Sequence, residues 1–481
     1  MPAASTDHRR AVHAATASDF HTLRIHMVGI GGAGMSGLAA VLLRRGARVS
    51  GSDARMSIDL ARLGTLGAAV SAQQRADTFP IDAELVVATA AVPDDHPELV
   101  EARRRGIEIV RYSEMLGLLM SQHVGVAISG THGKSTTTAW LTYVLRQAGL
   151  DPSFVVGALV DQLGGGSGVG DGPHFIAEAC EYARSFLHLR PRHAAILNID
   201  ADHLDYYADL DAIGAAFADF ARLLPANGRL IANGADPRCR ALVRANVAAA
   251  IETFGLDEYN HWRADDLRIE NGFHAFTVVA HGQPLGRVRL GIAGAHSVLN
   301  ALAVVALARE CGVSWPAIER SLGEFRGAKR RLELRGSARG VNVADDYAHH
   351  PTEIRATLQA ARERFRPRRL WVVFQPHQYS RTRHLLEEFV HSFGVADCVV
   401  VPEIYAARDS ADDRAAVSAE LVAHRLRVAG VEAVHIPEFD AIADFLASSV
   451  TAGDLVITMG AGNVGKLADD LVQRLGGHLP A

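Results

Sequence analysis

The sequence LRIHMVGIGGAG, residues 23–34, joins a short apolar run to a turn rich in glycine. The turn fits the pattern G-x-G-x-x-G at residues 29–34, and a helical pattern follows over residues 34–45. Asp53 ends the next predicted strand about 20 residues later, where an acid that binds a ribose would stand. Backbone N–H groups at such a helix start can hold a diphosphate. The spacing leaves open whether the ligand is NAD, FAD or a nucleotide sugar, or whether the glycines serve packing alone.

A second strand-to-helix turn, SGTHGKST at residues 129–136, combines two glycines with a lysine that two hydroxyl residues follow. This composition suits the phosphates of a nucleoside triphosphate, because Lys134 can neutralise β- and γ-phosphate oxygens while Ser135 or Thr136 binds Mg²⁺. Ile128 stands where the P-loop pattern has its first glycine, so the turn is a shortened variant. Helix capping alone would need neither the lysine nor the flanking glycines.

Three stretches of the chain alternate short apolar strands with helical patterns, which is typical of parallel sheets covered by helices on both faces. The predicted fold class is therefore α/β, with three domains that are each built on a mostly parallel sheet. We expect Rossmann-like first and third domains and a central ATPase domain of the P-loop type. The predicted segments are a flexible N-terminal tail at residues 1–21 and domains at residues 22–122, 123–328 and 329–481. The glycine-rich stretch 164–172 is predicted to be a mobile loop.

The composition is that of a globular protein with several domains: 481 residues, of which 48% are hydrophobic and 21% charged. A net charge of −5 argues against a general nucleic-acid-binding protein. The four cysteines lie far apart without a CxxC spacing, which favours free thiols in the cytoplasm. No apolar run approaches the ~20 residues that a membrane-spanning helix needs, and the polar N-terminal stretch lacks the apolar core of a secretory signal.

Acidic and imidazole side chains follow two further predicted strands of the central domain. Glu178 and Glu181 come after the first of these strands, and Asp202 and His203 come after the second. The carboxyl ends of parallel strands are where doubly wound sheets bind ligands, and these side chains suit a hard divalent cation that bridges phosphates. Glu181 and Asp202 can equally be solvated loop charges.

Five short segments stand in a characteristic order: GIGGAGMS at residues 29–36, GTHGK at 130–134, NIDADH at 198–203, KRR at 329–331 and DDYAHHP at 345–351. Together they resemble the Mur ligase family over nearly the whole chain, residues 26–464. DDYAHHPTE and the segment FQPHQYSRT, residues 374–382, are similar to the members that join L-alanine to UDP-N-acetylmuramate. The nearest alternative is the recycling member that attaches a whole tripeptide to the same nucleotide sugar.

The resemblance implies an ATP-dependent acid–amino-acid ligase of peptidoglycan precursor synthesis. In that reaction ATP phosphorylates the lactyl carboxylate of UDP-N-acetylmuramate. The amine of L-alanine then attacks the acyl phosphate, which gives UDP-N-acetylmuramoyl-L-alanine, ADP and phosphate. Mg²⁺ would offset the repulsion between the two polyanions. The expected partners are these small molecules, with neither nucleic acid nor membrane, and the expected state is a cytoplasmic monomer or weak homo-oligomer.

The resemblance also implies a role for each matched residue. The first glycine turn would bind the UDP-sugar instead of NAD, through Gly31, Gly32, Ala33, Gly34, Met35, Ser36 and Asp53, with Tyr347 and His377 as further substrate contacts. ATP would contact Gly130, Thr131, His132, Gly133, Lys134, Ser135, Thr136, Asn300, Arg331 and Asp346. The expected metal ligands are Ser135, Thr136, Glu178 and His203. The expected catalytic residues are Lys134, Glu178, His203, His349 and Arg381.

Two other function classes compete with a ligase. A nicotinamide-dependent oxidoreductase would use the first glycine turn and Asp53, but it leaves Lys134 and Thr136 unexplained. A non-catalytic nucleotide-sugar sensor would keep the first turn but would have no need of Lys134, Glu178 or His203. All three of those residues are present.

Among the departures from the family pattern, two are expected to remove contacts with a ligand. Ser297 stands where the family usually has an asparagine, so one amide contact with adenine is expected to be lost. Cys180 stands in place of an acidic residue beside the metal, which removes one carboxylate there, while Glu178 is kept.

Overall fold

The computed structural model describes residues 20–54, 56, 58–242, 245–407 and 409–478. The predicted N-terminal tail, residues 1–21, therefore lies almost wholly outside the described residues. Three sheets, each with its own helices, confirm the predicted α/β class with three domains and mostly parallel strands.

The chain packs into two compact units that are discontinuous in sequence. The first unit contains the chain up to Ile199, together with Gly214–Thr253 and Ala303–Ile318. The second unit contains Asp200–Ile213, Phe254–Leu302 and the chain from Glu319 onward. The linear domain boundaries given above stay predictions.

The first sheet is fully parallel, with the strand order β3-β2-β1-β4-β5. Its strands are β1 Arg24–Val28, β2 Arg48–Ser52, β3 Ala69–Ser71, β4 Leu85–Ala88 and β5 Glu108–Arg111. Its helices are α1 Ala33–Arg44, α2 Ile58–Thr65, α3 Pro97–Arg104 and α4 Tyr112–Ser121. Strand β1 ends at Val28 because Gly29 turns the chain with a φ of +80°. The strand order reverses between β1 and β4, so the crevice for a ligand lies at the carboxyl ends of these strands.

The central sheet begins in the first unit, where the strand order is β11-β10-β6-β9-β7-β8. These strands are β6 Val124–Ser129, β7 Ser153–Val155, β8 Ser167–Gly168, β9 His174–Ala179, β10 His193–Ile196 and β11 Arg229–Asn233. The helices of this region are α5 Lys134–Gln147, α6 Leu210–Ala221 and α7 Pro237–Ala241.

Two expectations for this sheet are corrected. The glycine-rich stretch 164–172 is not a loop throughout, because β8 lies within it and pairs antiparallel with β7. Glu178 lies inside β9 rather than after it, since the pairing of β6 with β9 continues through Ile128 with Glu178 and Ser129 with Ala179.

Strand β12, Ala250–Gly255, leads into an antiparallel meander that the sequence patterns did not predict. Its strands are β13 Trp262–Glu270, β14 Phe273–Ala280 and β15 Gln283–Arg289. The two-residue turns Asn271–Gly272 and His281–Gly282 connect them, with positive φ at both residues of each turn. Asn-Gly in a two-residue turn is a strong hairpin signal, so this part of the fold was readable from the sequence.

The third sheet has the strand order β16-β17-β21-β18-β19-β20 and is parallel except for β16. Its strands are β16 Glu333–Ala338, β17 Val341–Asp346, β18 Leu370–Phe374, β19 Cys398–Val401, β20 Ala433–His435 and β21 Leu455–Met459. The remaining helices are α8 Ala295–Glu310, α9 Trp315–Glu324, α10 Pro351–Phe365, α11 Tyr379–His384, α12 Leu386–Val390, α13 Ala411–Ala416, α14 Ala419–Val428, α15 Phe439–Ser449 and α16 Gly465–Arg474.

The third sheet is buried on both faces. Along β18, Val372 and Phe374 belong to one apolar core, and Trp371 and Val373 belong to the other. This alternation follows from the two-residue period of a strand. No helix among the described residues combines the length and the apolar character that crossing a membrane requires.

Candidate active site

The first glycine turn is shaped by close contacts around Gly31. Its backbone N–H donates to Asp53 Oδ2 over 2.9 Å. A Cβ atom at Gly31 would lie 2.5 Å from Leu60 Cδ1 and 2.9 Å from Asp53 Oδ2, so a larger residue there would displace both side chains. The structure therefore brings Asp53 into contact with the first glycine turn.

Helix α1 begins at Ala33 with Gly32 at its N-cap. Within the described residues no side chain caps this end, and its first turn carries no acidic residue. Its N–H groups and the helix dipole therefore suit an anion. The Ser36 N–H already bonds to Gly32 O, and the Met35 side chain is buried in the core, so Met35 can face a ligand only through its backbone.

The second glycine turn holds its lysine in a defined place. Gly133 has a φ of +83° and precedes Lys134, the first residue of α5. Lys134 Nζ donates to Gly130 O over 2.6 Å and to Thr131 O over 2.9 Å. It also lies 3.0 Å from Glu181 Oε2.

Glu181 is the anionic partner of Lys134. The Glu181 side chain is only 2% exposed, so it is not a solvated loop charge. Burial by itself lowers the pKa of Lys134, but the Glu181 carboxylate outweighs burial, with further help from Cys180 and Glu178, and holds that pKa above its ordinary value. Lys134 is therefore a cation, as contact with phosphate requires.

Asn198 stabilises the second glycine turn through hydrogen bonds, although it was not among the predicted site residues. Its side-chain Oδ1 accepts from His132 N over 2.8 Å, and its Nδ2 donates to His132 O over 3.1 Å. Its backbone O accepts from Thr131 N over 3.1 Å. The acidic and imidazole side chains of the segment 198–203 were the predicted site residues, whereas Asn198 is the residue that orders the second glycine turn.

The oxygen ligands expected for Mg²⁺ are available in the first unit. Glu178 Oε1 accepts from Gly157 N over 2.5 Å, which orients the carboxylate at the end of β9. Ser135 and Thr136 are half-buried in the first turn of α5, and within the described residues their hydroxyls form no hydrogen bond. Carboxylate and hydroxyl oxygens are suitable ligands for this hard cation, so the residues fit the metal.

In the second unit, Asp202 and Arg381 form a buried ion pair. Arg381 Nη2 donates to Asp202 Oδ1 over 2.8 Å, and both side chains are 9% exposed. Burial alone would raise the pKa of Asp202, but Arg381, His203 and His349 hold it well below its usual range. Asp202 is therefore an ionised partner of Arg381 and not a solvated loop charge.

His203 and His349 belong to the same cluster. His203 has a φ of +56°, and its Nε2 lies 4.0 Å from Asp202 Oδ2. His349 Nδ1 lies 3.0 Å from Tyr347 O and 3.3 Å from Glu353 Oε2. Burial lowers the pKa of His349 to about 4, against the opposing effect of Glu353, so this imidazole is neutral near pH 7.

His377 is ordered by a stacked ring. Its imidazole lies parallel to the ring of Tyr405 with 5.4 Å between centroids, and its Nδ1 lies 3.4 Å from Arg381 Nη1. The ring of His349 meets His377 edge-on at 6.1 Å. The second unit thus brings Arg381, His349 and His377 into one cluster.

Asp346 is engaged by its own chain. Its Oδ2 accepts from Leu332 N and its Oδ1 from Ala348 N, both over 2.7 Å. Burial raises the pKa of Asp346 to about 6, with Arg331 opposing the shift. This carboxylate orders the backbone after β17, and its predicted contact with ATP stays a prediction.

The arginines of the basic segment KRR, residues 329–331, contact neighbouring side chains. Arg330 Nε donates to Asp345 Oδ2 over 2.8 Å, and the guanidinium groups of Arg330 and Arg331 lie 5.0 Å and 5.3 Å from the centre of the Tyr347 ring.

On α8, Asn300 is buried. The Ser297 hydroxyl donates to Ala293 O over 2.7 Å, and the expected loss of one adenine contact at this position stays a prediction.

Three family models match the chain. They are described as the Mur ligase family catalytic domain at residues 24–124, the Mur ligase middle domain at residues 128–308 and the Mur ligase glutamate ligase domain at residues 330–462. A UDP-N-acetylmuramate–L-alanine ligase of Acetivibrio thermocellus is 42% identical over 448 residues, which are 92% of this chain and 94% of the relative. This chain belongs to the Mur ligase family.

Solved structures of Mur ligases share the fold. The UDP-N-acetylmuramate-alanine ligase MurC of Thermotoga maritima matches with a TM-score of 0.80 and 29% identity, over 94% of this chain and 99% of that one. The murein peptide ligase of Psychrobacter arcticus matches with a TM-score of 0.71 and 26% identity, over 95% of this chain and 100% of that one. The two glycine turns lie in the parts matched by the first and middle family models.

Proposed function

We propose that this Mur ligase joins L-alanine to the lactyl carboxylate of UDP-N-acetylmuramate, with conversion of ATP to ADP and phosphate. The observation that carries the proposal is the identity of 42% to an L-alanine ligase over nearly the whole of both chains. The cationic Lys134 in a phosphate-binding turn supports it, because an oxidoreductase would have no use for this side chain.

The first step requires positive charge beside the transferred phosphoryl group. The γ-phosphoryl group of ATP passes to a carboxylate oxygen, the bond from phosphorus to the β-phosphate oxygen breaks, and ADP leaves. Lys134 would exchange the Glu181 carboxylate for phosphate oxygens. Glu178 with Ser135 or Thr136 would hold Mg²⁺, which when bound supplies charge that offsets phosphate repulsion. A role for His203 as a further metal ligand stays a prediction.

The second step requires a proton acceptor. The alanine nitrogen attacks the acyl carbon, and the bond from that carbon to the phosphate oxygen breaks in the resulting tetrahedral species. His349 is neutral near pH 7, and its Nδ1 faces the carbonyl oxygen of Tyr347. We assign the hydrogen to Nδ1 on that ground, which leaves Nε2 to accept the proton that the amine loses. Arg381 would attract the carboxylate of alanine.

The experiment that tests this function is phosphate release from ATP in the presence of Mg²⁺ and UDP-N-acetylmuramate. We expect release that depends on both the nucleotide sugar and L-alanine, with glycine and L-serine as poorer acceptors. Discrimination between side chains that differ by one methyl group is worth only ~1–3 kcal/mol, so some turnover with glycine is compatible with the proposal.

Two alternatives give different results in the same assay. Release only with the tripeptide would identify the recycling ligase instead. No release with any acceptor would overturn the proposal, and a change in the absorbance of NADH, added in a separate reaction with the nucleotide sugar, would then identify an oxidoreductase.

A further inference from the structure

Tyr112 lies beside the first glycine turn, and the proposed reaction does not yet use it. It follows β5 directly and is the first residue of α4. A Cβ atom built on Gly34 would lie 2.9 Å from the Tyr112 hydroxyl oxygen and 3.0 Å from Cζ. The phenol therefore covers the first turn of α1, and a side chain at position 34 would displace it from this place.

The Tyr112 hydroxyl is a hydrogen-bond donor that has no partner among the described residues. The neighbouring Arg111, by contrast, donates to backbone oxygens of the loop that follows β4. Burial raises the pKa of Tyr112 above its ordinary value, and Glu178 and Cys180 raise it further. The phenol consequently keeps its proton at neutral pH and can donate it in a hydrogen bond.

An anion at the start of α1 would meet this donor. Strands β1, β4 and β5 are parallel neighbours, so the glycine turn and Tyr112 stand at the same edge of the first sheet. The start of α1 presents N–H groups that no side chain caps within the described residues. The phenol adds a side-chain donor next to these backbone donors.

We propose that the Tyr112 hydroxyl donates a hydrogen bond to the diphosphate of the bound nucleotide sugar. Tyr112 thereby acts as a substrate-binding residue together with the first glycine turn. This inference rests on the proposed function, because it takes that turn as the site of the UDP group.

Tyr112→Phe tests the inference, since it removes the hydroxyl and keeps the ring that packs on Gly34. Calorimetry without ATP would measure the Kd of UDP-N-acetylmuramate and of UDP. We expect both Kd values to rise about 10-fold, the effect of losing one hydrogen bond to a charged group, while the KM for ATP stays unchanged. Tyr259→Phe, at an exposed tyrosine of the second unit, is the matched control and should change none of these values.

The possible outcomes separate the inference from the function on which it rests. Unchanged binding of both ligands by Tyr112→Phe would overturn the inference and leave the proposed function intact. Weaker binding of the nucleotide sugar with unchanged binding of UDP would exclude the diphosphate as the acceptor. Absence of UDP-N-acetylmuramate binding by the unaltered protein would overturn the proposed function and the inference with it.

Discussion

Lys134 is held in its turn by two carbonyl oxygens and by the Glu181 carboxylate. A paired cation in a buried setting keeps its charge, and loss of either partner leaves the other unpaired. Phosphate oxygens of ATP would replace one anionic partner of Lys134 by another. The charge of this side chain is therefore set before the nucleotide arrives.

Replacing Lys134 by alanine should abolish turnover while leaving the nucleotide-sugar site intact. We expect kcat to fall by about 10³-fold or more, because the transferred phosphoryl group loses its cation. The Kd of UDP-N-acetylmuramate should stay nearly unchanged, because its predicted site is the first glycine turn. Lys466→Ala, at an exposed lysine of α16, is the control. A large loss of nucleotide-sugar binding in Lys134→Ala would refute the separation of the two sites.

Asn198→Ala should weaken ATP binding through the order of the second turn. The variant loses both side-chain hydrogen bonds with His132 but keeps the backbone bond with Thr131. At about 1 kcal/mol for each lost bond, the KM for ATP should rise about 10- to 30-fold, whereas the KM for L-alanine should change little. Asn342→Ala removes a comparable bond with Ser337 in the third sheet and should leave both KM values unchanged.

Because of His349, we expect the free energy of unfolding to depend on pH in the acidic range. Its pKa of about 4 lies below the unfolded value of about 6.5, so the unfolded chain binds the proton more tightly. Stability should therefore fall as pH decreases from about 6.5 to about 4, by at most about 3 kcal/mol from this residue. Urea unfolding at several pH values would measure the effect. In His349→Gln this part of the pH dependence should disappear, and an unchanged slope would contradict the assignment.

Helix α7 shows how a short element orders the site at the level of secondary structure. Asp236 caps its N-terminus by accepting from Arg238 N and Cys239 N through Oδ1. Its other oxygen, Oδ2, accepts from Ile199 N over 2.8 Å. One carboxylate thus joins the helix to the loop after β10 that contains Asn198.

Asp236→Ala should lower stability and also weaken ATP binding. Loss of the cap costs about 1–2 kcal/mol, and loss of the bond to Ile199 loosens the loop. Ser418→Ala removes the cap of α14, where Ser418 accepts from Leu421 N. That control should lose similar stability in urea unfolding with no change in the KM for ATP. Equal KM values in the two variants would show that the Asp236 contact does not reach the site.

At the scale of the whole molecule, binding should raise the thermal stability of the chain. A ligand at a concentration 100 times its Kd stabilises the folded state by about 2.7 kcal/mol. We expect UDP-N-acetylmuramate to raise the melting temperature, because the first glycine turn is the predicted site for its UDP group. NADH should have no such effect. A shift with NADH alone would favour the oxidoreductase instead.

The sequence by itself determined the fold class and the positions of the first and second glycine turns. These features depend on local patterns: apolar runs make buried parallel strands, and glycines mark turns where φ is positive, as at Gly29 and Gly133. The hairpin between β13 and β14 has a local signal of the same kind, because Asn271 and Gly272 both have positive φ.

Only the tertiary structure decided how the charged residues are paired. Arg381 and Asp202 are 179 positions apart, and Lys134 and Glu181 are 47 apart, so no local period relates either pair. Asp346 looked available for a ligand, yet its oxygens accept two backbone N–H groups. Sequence patterns reveal which residues stand at a strand end or a turn. The partner that each charge meets depends on how distant segments pack, because the energies that select it act between side chains brought together only by folding.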